Sequence, residues 1–215
     1  MKVIKTYLLL TFAIFLFVSC KDSSSGISEE DLIGRDTQTA VVNVTSLTGR
    51  VWMDRNLGAS RAATSSNDAQ AFGDLYQWGR AADGHQNRNS TTTTTVSSTD
   101  QPAPAGIFIL GNELANGDWR SPQNSNLWQG VNGINNPCPR GYRLPTEAEW
   151  AAEMDSWISD NAAGAFASPL KLPVAGFRGY SSGSLNGVGS YGHYWSGTAG
   201  GARSRGLGFS SSSAS

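Results

Sequence analysis

The stretch that decides the fold is Arg143-Leu144-Pro145-Thr146-Glu147-Ala148-Glu149-Trp150. It contains a capping box, in which the Thr146 hydroxyl can accept from the amide of Glu149 while the Glu149 side chain accepts from the amide of Thr146. The apolar residues that follow are spaced to share one helical face, namely Trp150, Met154, Trp157 and Ile158. The sequence therefore predicts a helix from about Glu147 to Asp160, in which Thr146, Glu149 and Trp150 have structural roles.

The rest of the chain has the pattern of short strands and long loops. Short apolar runs bounded by Gly, Ser, Asn and Pro predict strands near 41–44, 49–53, 170–177, 191–196 and 205–209, and a buried strand or turn at 107–110. A short helix is expected within residues 67–78. The segments 81–104 and 111–137 are typical of surface loops, the second anchored to the core by Trp119 and Trp128. The predicted fold class is α+β.

The first residues have the pattern of an export signal. Lys2 and Lys5 precede an apolar run over residues 7–18, which is too short to span a bilayer, and Ser19 stands before Cys20. This arrangement resembles a bacterial lipobox, which implies that residues 1–19 are a signal peptide removed before a lipidated Cys20. Residues 20–40 are polar and are typical of a flexible tether. The alternative is an ordinary secretory signal in which the cysteine stands by chance.

Charge is nearly balanced over the chain as a whole but is unevenly distributed. The 215 residues have a formal net charge of −1, so net attraction gives no reason to expect a nucleic-acid partner. All acidic residues lie at or before Asp160, and the region after it is rich in Gly, Ser and aromatic residues. Such a composition favours an exposed, loop-rich binding surface, the alternative being a solvated tail without a partner.

The residues that usually bind metals or perform catalysis are scarce. His85 and His193 are the only histidines, and neither belongs to a cluster with metal-ligand spacing, so no metal or other cofactor is expected. Residues 187–192 match a dinucleotide fingerprint, but a strand-like segment follows where a helix is required. Residues 179–183 match a nucleophile elbow, but no acidic residue follows. Both segments are interpreted as turns.

Three stretches together resemble the Fibrobacter succinogenes major paralogous domain. They are Gly49-Arg-Val-Trp-Met-Asp-Arg-Asn-Leu-Gly-Ala59, Phe72-Gly-Asp-Leu-Tyr-Gln-Trp-Gly-Arg80 and Pro137-Cys-Pro-Arg-Gly-Tyr-Arg-Leu-Pro-Thr-Glu-Ala-Glu-Trp150. The segments 194–198 and 207–209 continue the likeness. Residues 143–150 are also similar to the formylglycine-generating enzyme superfamily. Both resemblances imply a C-type-lectin-like fold for a domain spanning residues 41–215.

The resemblance also implies a departure at the carboxy terminus. The family continues into a last strand that carries a cysteine, which would be the natural partner of Cys138. The sequence ends at Ser215, so the expectation is a domain truncated before that strand.

The expected function is non-catalytic recognition by a lipid-anchored protein of the cell envelope, at the outer membrane. The ligand would be a glycan or a protein surface, bound by residues of the acid-free region: Tyr180, Tyr191, His193, Arg203, Arg205 and Ser210. Trp195 and Phe209 are expected to face the core instead. One alternative is a metal-dependent oxidoreductase like the formylglycine-generating enzymes, although the paired cysteines of that family are lacking. A purely structural envelope protein is the other alternative.

Overall fold

The computed structural model describes residues 39–111, 117–200 and 203–215, with Arg203 described in its backbone only. The predicted signal peptide, Cys20 and the tether as far as residue 38 lie outside the described residues. No helix in the described part of the chain is long and apolar enough to cross a membrane.

The described chain has few helices and several small two-stranded sheets. The strands are β1 (Asn43–Thr45), β2 (Val51–Met53), β3 (Thr92–Thr93), β4 (Phe108–Ile109), β5 (Phe177–Arg178), β6 (Leu185–Asn186), β7 (Gly192–Gly200) and β8 (Arg203–Phe209). The helices are α1 (Glu147–Asp155), α2 (Ala162–Ala167) and a 3-10 turn at Ala69–Ala71. β1–β2, β5–β6 and β7–β8 are antiparallel pairs, and β3–β4 is a parallel pair. This mixed architecture is compatible with the predicted α+β class.

The helix predicted from the capping box is present but ends early. Both hydrogen bonds of the capping box form, between Thr146 and Glu149. The helix stops at Asp155, and Asn161 begins α2 by accepting hydrogen bonds from the amides of Ala163 and Gly164. The predicted extension to Asp160 was therefore wrong, and Ile158 is 83% exposed rather than buried. Asparagine is a strong amino-terminal cap, so the two short helices replace one long one.

The main core lies between α1 and the β7–β8 hairpin. Trp150 and Trp157 from the helix meet Leu207 and Phe209 from β8. The ring of Tyr194 stacks on Phe209 with centroids 5.7 Å apart, and its hydroxyl donates to the carbonyl of Pro173 over 2.7 Å. Tyr194 therefore fills the place in the core that the sequence interpretation gave to its neighbour Trp195, whereas the inward position of Phe209 is confirmed.

A buried polar network holds the long loops together. The Gln77 side chain bonds to both backbone groups of Ile109 on β4, and it accepts a hydrogen bond from Arg80 over 2.8 Å. Arg80 also donates to Asp83, whose other carboxylate oxygen lies 2.7 Å from Nδ1 of His85. Arg80 and His85 are fully buried. The loops are thus fixed by side-chain hydrogen bonds, and the predicted anchors Trp119 and Trp128 are buried beside them.

The strand expected over residues 170–177 is mostly absent. Only Phe177 and Arg178 form a strand, β5. Pro173 lacks an amide hydrogen for a ladder, and Lys171 has a φ of 48°, outside the extended region. The segment is nevertheless buried, with Leu170, Leu172 and Val174 in the main core.

Candidate functional site

Aromatic side chains form a stripe along the outer face of β7 and the residue before it. Tyr191, His193 and Trp195 are all exposed, and they alternate with Gly192 and Tyr194, which point inward. Tyr191 is 47% exposed and Trp195 is 41% exposed, so the expectation that Trp195 faces the core was wrong. Side chains alternate between the two faces of a strand, and the burial of Tyr194 therefore forces its neighbours outward.

Glycines stand opposite this stripe on β8. His193 pairs with Gly208 and Trp195 pairs with Gly206 in the antiparallel register. Neither partner has a side chain, so the aromatic rings on β7 border an open strip of backbone. A Cβ at Gly208 would lie 3.8 Å from its nearest neighbour, the His193 ring, whereas one at Gly206 would lie 2.5 Å from the carbonyl of Tyr194. Position 208 can therefore accept a methyl group, and position 206 cannot.

A further aromatic ring extends the stripe sideways onto β5. A bridge between Gly176 and Gly192 sets β5 beside β7, and the Phe177 ring lies 4.7 Å from the His193 ring. Asn186 on β6 is paired with Phe177 and is exposed. The order of residues across these strands is therefore Asn186, Phe177, His193 and Gly208.

We call this surface the aromatic trough, formed by Phe177, Tyr191, His193 and Trp195 beside Gly206 and Gly208. Apart from Tyr191, all of these residues line a groove of about 1240 Å³. The groove also passes Tyr180 and reaches Trp52 and Trp150 near β2 and α1. Its size is ample for a ligand of several rings, since small-molecule sites usually occupy a few hundred Å³.

The structure brings some of the predicted binding residues together and separates others. Tyr191 and His193 are neighbours, with ring centroids 6.2 Å apart, and Tyr180 is 61% exposed on the same groove. Arg205 is not among the residues that line the groove, and its Nε lies 3.9 Å from Oε1 of Glu147 at the start of α1. Ser210 belongs to the turn after β8, where its amide donates to the carbonyl of Ser213. The side chain of Arg203 lies outside the described residues.

The predicted structural residues have definite electrostatic surroundings. Hydrogen bonds from Arg143 and the capping amide of Thr146, together with the charge of Arg50, hold the pKa of Glu149 down at about 2 despite partial burial. Trp150 is buried and donates its indole hydrogen to the carbonyl of Trp195 over 3.0 Å. Cys138 is buried and lines the groove.

The groups needed for metal binding do not converge in the described part of the chain. Within residues 39–111, 117–200 and 203–215, no three His, Cys, Asp or Glu side chains are placed to hold a metal ion. The Asp83–His85 pair resembles part of a catalytic relay, but Nε2 of His85 accepts the amide hydrogen of Gln77 at 3.0 Å and the ring is fully buried. This histidine is therefore committed to the scaffold.

No protein-family model matches the chain, and comparison with curated proteins and with solved structures likewise gave no match.

Sequence reasoning missed Phe177, Trp195 and the two glycines of the trough. The sequence does contain an indication of them, because Leu207 and Phe209 alternate with glycine along β8. If the two apolar residues face the core, the outward face of β8 carries no side chains at these glycine positions. In the antiparallel register Trp195 pairs with Gly206, and it therefore lies on the same outward face as the glycines. The register between the strands, which supplies this phase, is a tertiary property.

Proposed function

We propose that the chain is a lipid-anchored envelope protein whose lectin-like domain binds a glycan without catalysis. The sequence features supporting the anchor are the apolar run before Cys20 and the polar segment after it. The likeness of the segments 49–59, 72–80 and 137–150 to lectin-like domains supports the finer fold assignment. The aromatic trough supplies the binding surface.

The observation that carries the proposal is the exposure of aligned aromatic rings on a rigid sheet. A Tyr, a His, a Trp and a Phe lie on one face, although water contact with such rings is unfavourable. The β7–β8 ladder holds the backbone of His193 and Trp195, and a bridge between Gly176 and Gly192 joins the strand of Phe177 to β7. Aromatic surface that is fixed and exposed without a partner marks a recognition site.

Glycans suit this surface chemically. The C–H faces of sugar rings pack on flat aromatic rings, while hydroxyl groups seek polar groups at the rim. Asn186 is exposed and pairs with Phe177 across β5 and β6, and its side-chain amide donates to the carbonyl of Ser184 over 2.9 Å. A few polar groups around an apolar platform are what orient a ligand in a concave site.

Binding of the full chain, held in detergent, to a panel of polysaccharides tests the recognition. The paired substitution Tyr191→Ala with Trp195→Ala is expected to weaken glycan binding at least about tenfold, because central aromatic contacts contribute most to such interfaces. Ile158→Ala is the matched control, since Ile158 is an exposed apolar residue after α1 and outside the trough. Equal binding by the pair and the parent, with an unchanged melting curve, would refute the trough as the site.

Metabolic labelling with a lipid analogue tests the anchor separately. Label and membrane fractionation are expected to be lost in Cys20→Ala and retained in Cys138→Ala, the only other cysteine of the chain. Full labelling of Cys20→Ala would contradict the lipidation.

A further inference from the structure

We infer that the trough recognises an uncharged polysaccharide and discriminates against anionic ones. This inference rests on the proposed function and names the ligand class of the same site. It differs from the expectation drawn from sequence, in which Arg203 and Arg205 belong to the binding residues.

The strands that form the aromatic side of the trough carry almost no charge. Residues 172–200 contain one permanently charged side chain, Arg178. Its guanidinium donates to the carbonyl of Gly183 over 2.7 Å and to the carbonyl of Ser90 over 2.6 Å, and it lies 4.2 Å above the Phe108 ring. These contacts commit Arg178 to joining the loops, so it is not directed at a ligand.

The arginine that sequence reasoning assigned to the site is also turned away. Arg205 lies beside Glu147, and its position in β8 has the same phase as the inward residues Leu207 and Phe209. The outward positions between them are Gly206 and Gly208. At these two positions β8 therefore presents backbone in place of a charged side chain.

The remaining charged side chains of the wider groove have local contacts of their own. Arg50 and Arg143 pair with Glu149, and Arg55 pairs with Asp54, at distances of 2.6–2.8 Å. Asp74 lies beside Arg88, and Nζ of Lys171 stands 5.3 Å above the Phe166 ring. The arginines Arg50, Arg55 and Arg143 therefore have ionic partners, and Lys171 has a ring contact in place of one.

The imidazole of His193 completes the neutral surface. Partial burial between the rings of Phe177 and Tyr191 lowers the pKa of His193, which keeps the ring uncharged at neutral pH. An anionic sugar placed here would lose hydration without gaining an ion pair, which is costly. A neutral sugar loses only hydroxyl hydration, and the exposed side chain of Asn186 offers a polar group to its hydroxyls.

A matched pair of ligands tests the inference, because hydroxyethylcellulose and carboxymethylcellulose share one backbone and differ in charge. Matched neutral and carboxylated forms of a mannan and a xylan extend the comparison to other backbones. Binding of the full chain in detergent is measured at about 50 mM and about 500 mM NaCl, since screening weakens ionic contacts. We expect at least one neutral polymer to bind about tenfold more tightly than its anionic form, with affinity unchanged by salt.

Two variants connect that result to the trough. Gly208→Ala adds a methyl group that the structure can accommodate, and it is expected to leave the melting curve unchanged while reducing neutral-glycan affinity several-fold. Asn186→Lys places a cation beside Phe177 and is expected to raise binding of the anionic polymer, in a salt-sensitive way.

The outcomes separate the two levels of the proposal. Tight, salt-sensitive binding of an anionic polymer that is lost in Tyr191→Ala with Trp195→Ala would overturn the inference and leave glycan recognition standing. Absence of binding to every polymer would overturn the proposed function, and the inference with it. Neutral binding that Gly208→Ala and the aromatic pair leave unchanged would place the site elsewhere and overturn both.

Discussion

The buried network under the loops and the aromatic trough on the sheet use the two histidines of the chain in opposite ways. His85 is fully buried, with Nδ1 bonded to Asp83 and Nε2 bonded to the amide of Gln77. His193 is exposed and is surrounded by aromatic rings. The difference separates two roles. The polar side chains of the loops hold the fold together, whereas the outward face of the sheet carries the exposed rings that we propose bind a ligand.

The largest effect is expected from Arg80→Met, which removes the centre of the network. The change leaves the Asp83 carboxylate without its buried cation and the Ile107 carbonyl without its donor, and it removes one of the two donors to Oε1 of Gln77. Loss of one partner from a buried ion pair costs ~3–5 kcal/mol, to be measured by urea denaturation. Arg205→Met is the control, because its exposed contact with Glu147 is worth at most ~1 kcal/mol. Equal stability of the two variants would contradict the conclusion that the buried network around Arg80 stabilises the fold more than the exposed contact of Arg205 does.

The next effect is a loss of stability in mild acid that depends on His85. Burial lowers the pKa of His85 to about 4, because it outweighs the hydrogen bond to Asp83, which raises that pKa. The unfolded chain takes up the proton near the ordinary pKa of about 6.5, so stability is fully present above that pH and is lost as the pH falls toward 4. The loss should amount to ~3 kcal/mol, seen as a slope in denaturation free energy over this range.

His85→Gln is expected to be less stable at neutral pH and to lack most of this slope. His193→Gln should retain it, since the exposed ring changes its surroundings less on folding. A slope that persists in His85→Gln would show that other groups carry the acid sensitivity.

A gain in stability is expected from Glu153→Gln. Glu153 is fully buried in α1 and neither carboxylate oxygen has a hydrogen-bond partner among the described residues, so burial raises its pKa despite the nearby Ser46 and Trp157. The folded state therefore loses stability as the pH rises above about 4.3, where the unfolded side chain ionises. The amide should be more stable by ~1–3 kcal/mol at pH 7, and the difference should disappear near pH 4.

Glu147→Gln is the control for that gain, because Glu147 lies on the same helix and is exposed. Its effect should be a few tenths of a kcal/mol, from the helix dipole alone. A Glu153 variant that is destabilised at pH 7 would mean that the carboxylate has a stabilising partner.

The smallest effect is expected from Thr146→Ala, which removes one half of the capping box. Loss of the hydroxyl that accepts from the Glu149 amide should cost about 1 kcal/mol in thermal denaturation. Thr146→Ser should restore most of it. The loss should leave glycan affinity unchanged, since the helix start lies outside the trough, and a parallel loss of binding would contradict the division between the two regions.

Local patterns in the sequence were enough to predict the elements that depend on neighbours in the chain. The capping box of α1, the β1–β2 hairpin, the β4 strand and the anchoring of Trp119 and Trp128 are all present. Each of these follows from spacing, turn residues or the cost of exposing a large ring. The end of α1 was beyond such reasoning, because Ser156 and Asn161 decide it through competing caps.

The sequence by itself determined that the region after Asp160 would be aromatic, glycine-rich and free of acids, and it pointed to Tyr191 and His193. Only the tertiary structure decided which face of β7 is outward, because that choice depends on the stacking of Tyr194 against Phe209 and on the register with β8. The same register sets glycines opposite His193 and Trp195 and turns Arg205 toward Glu147. Alternation along a strand fixes the spacing of its side chains, but contact with the core fixes their phase.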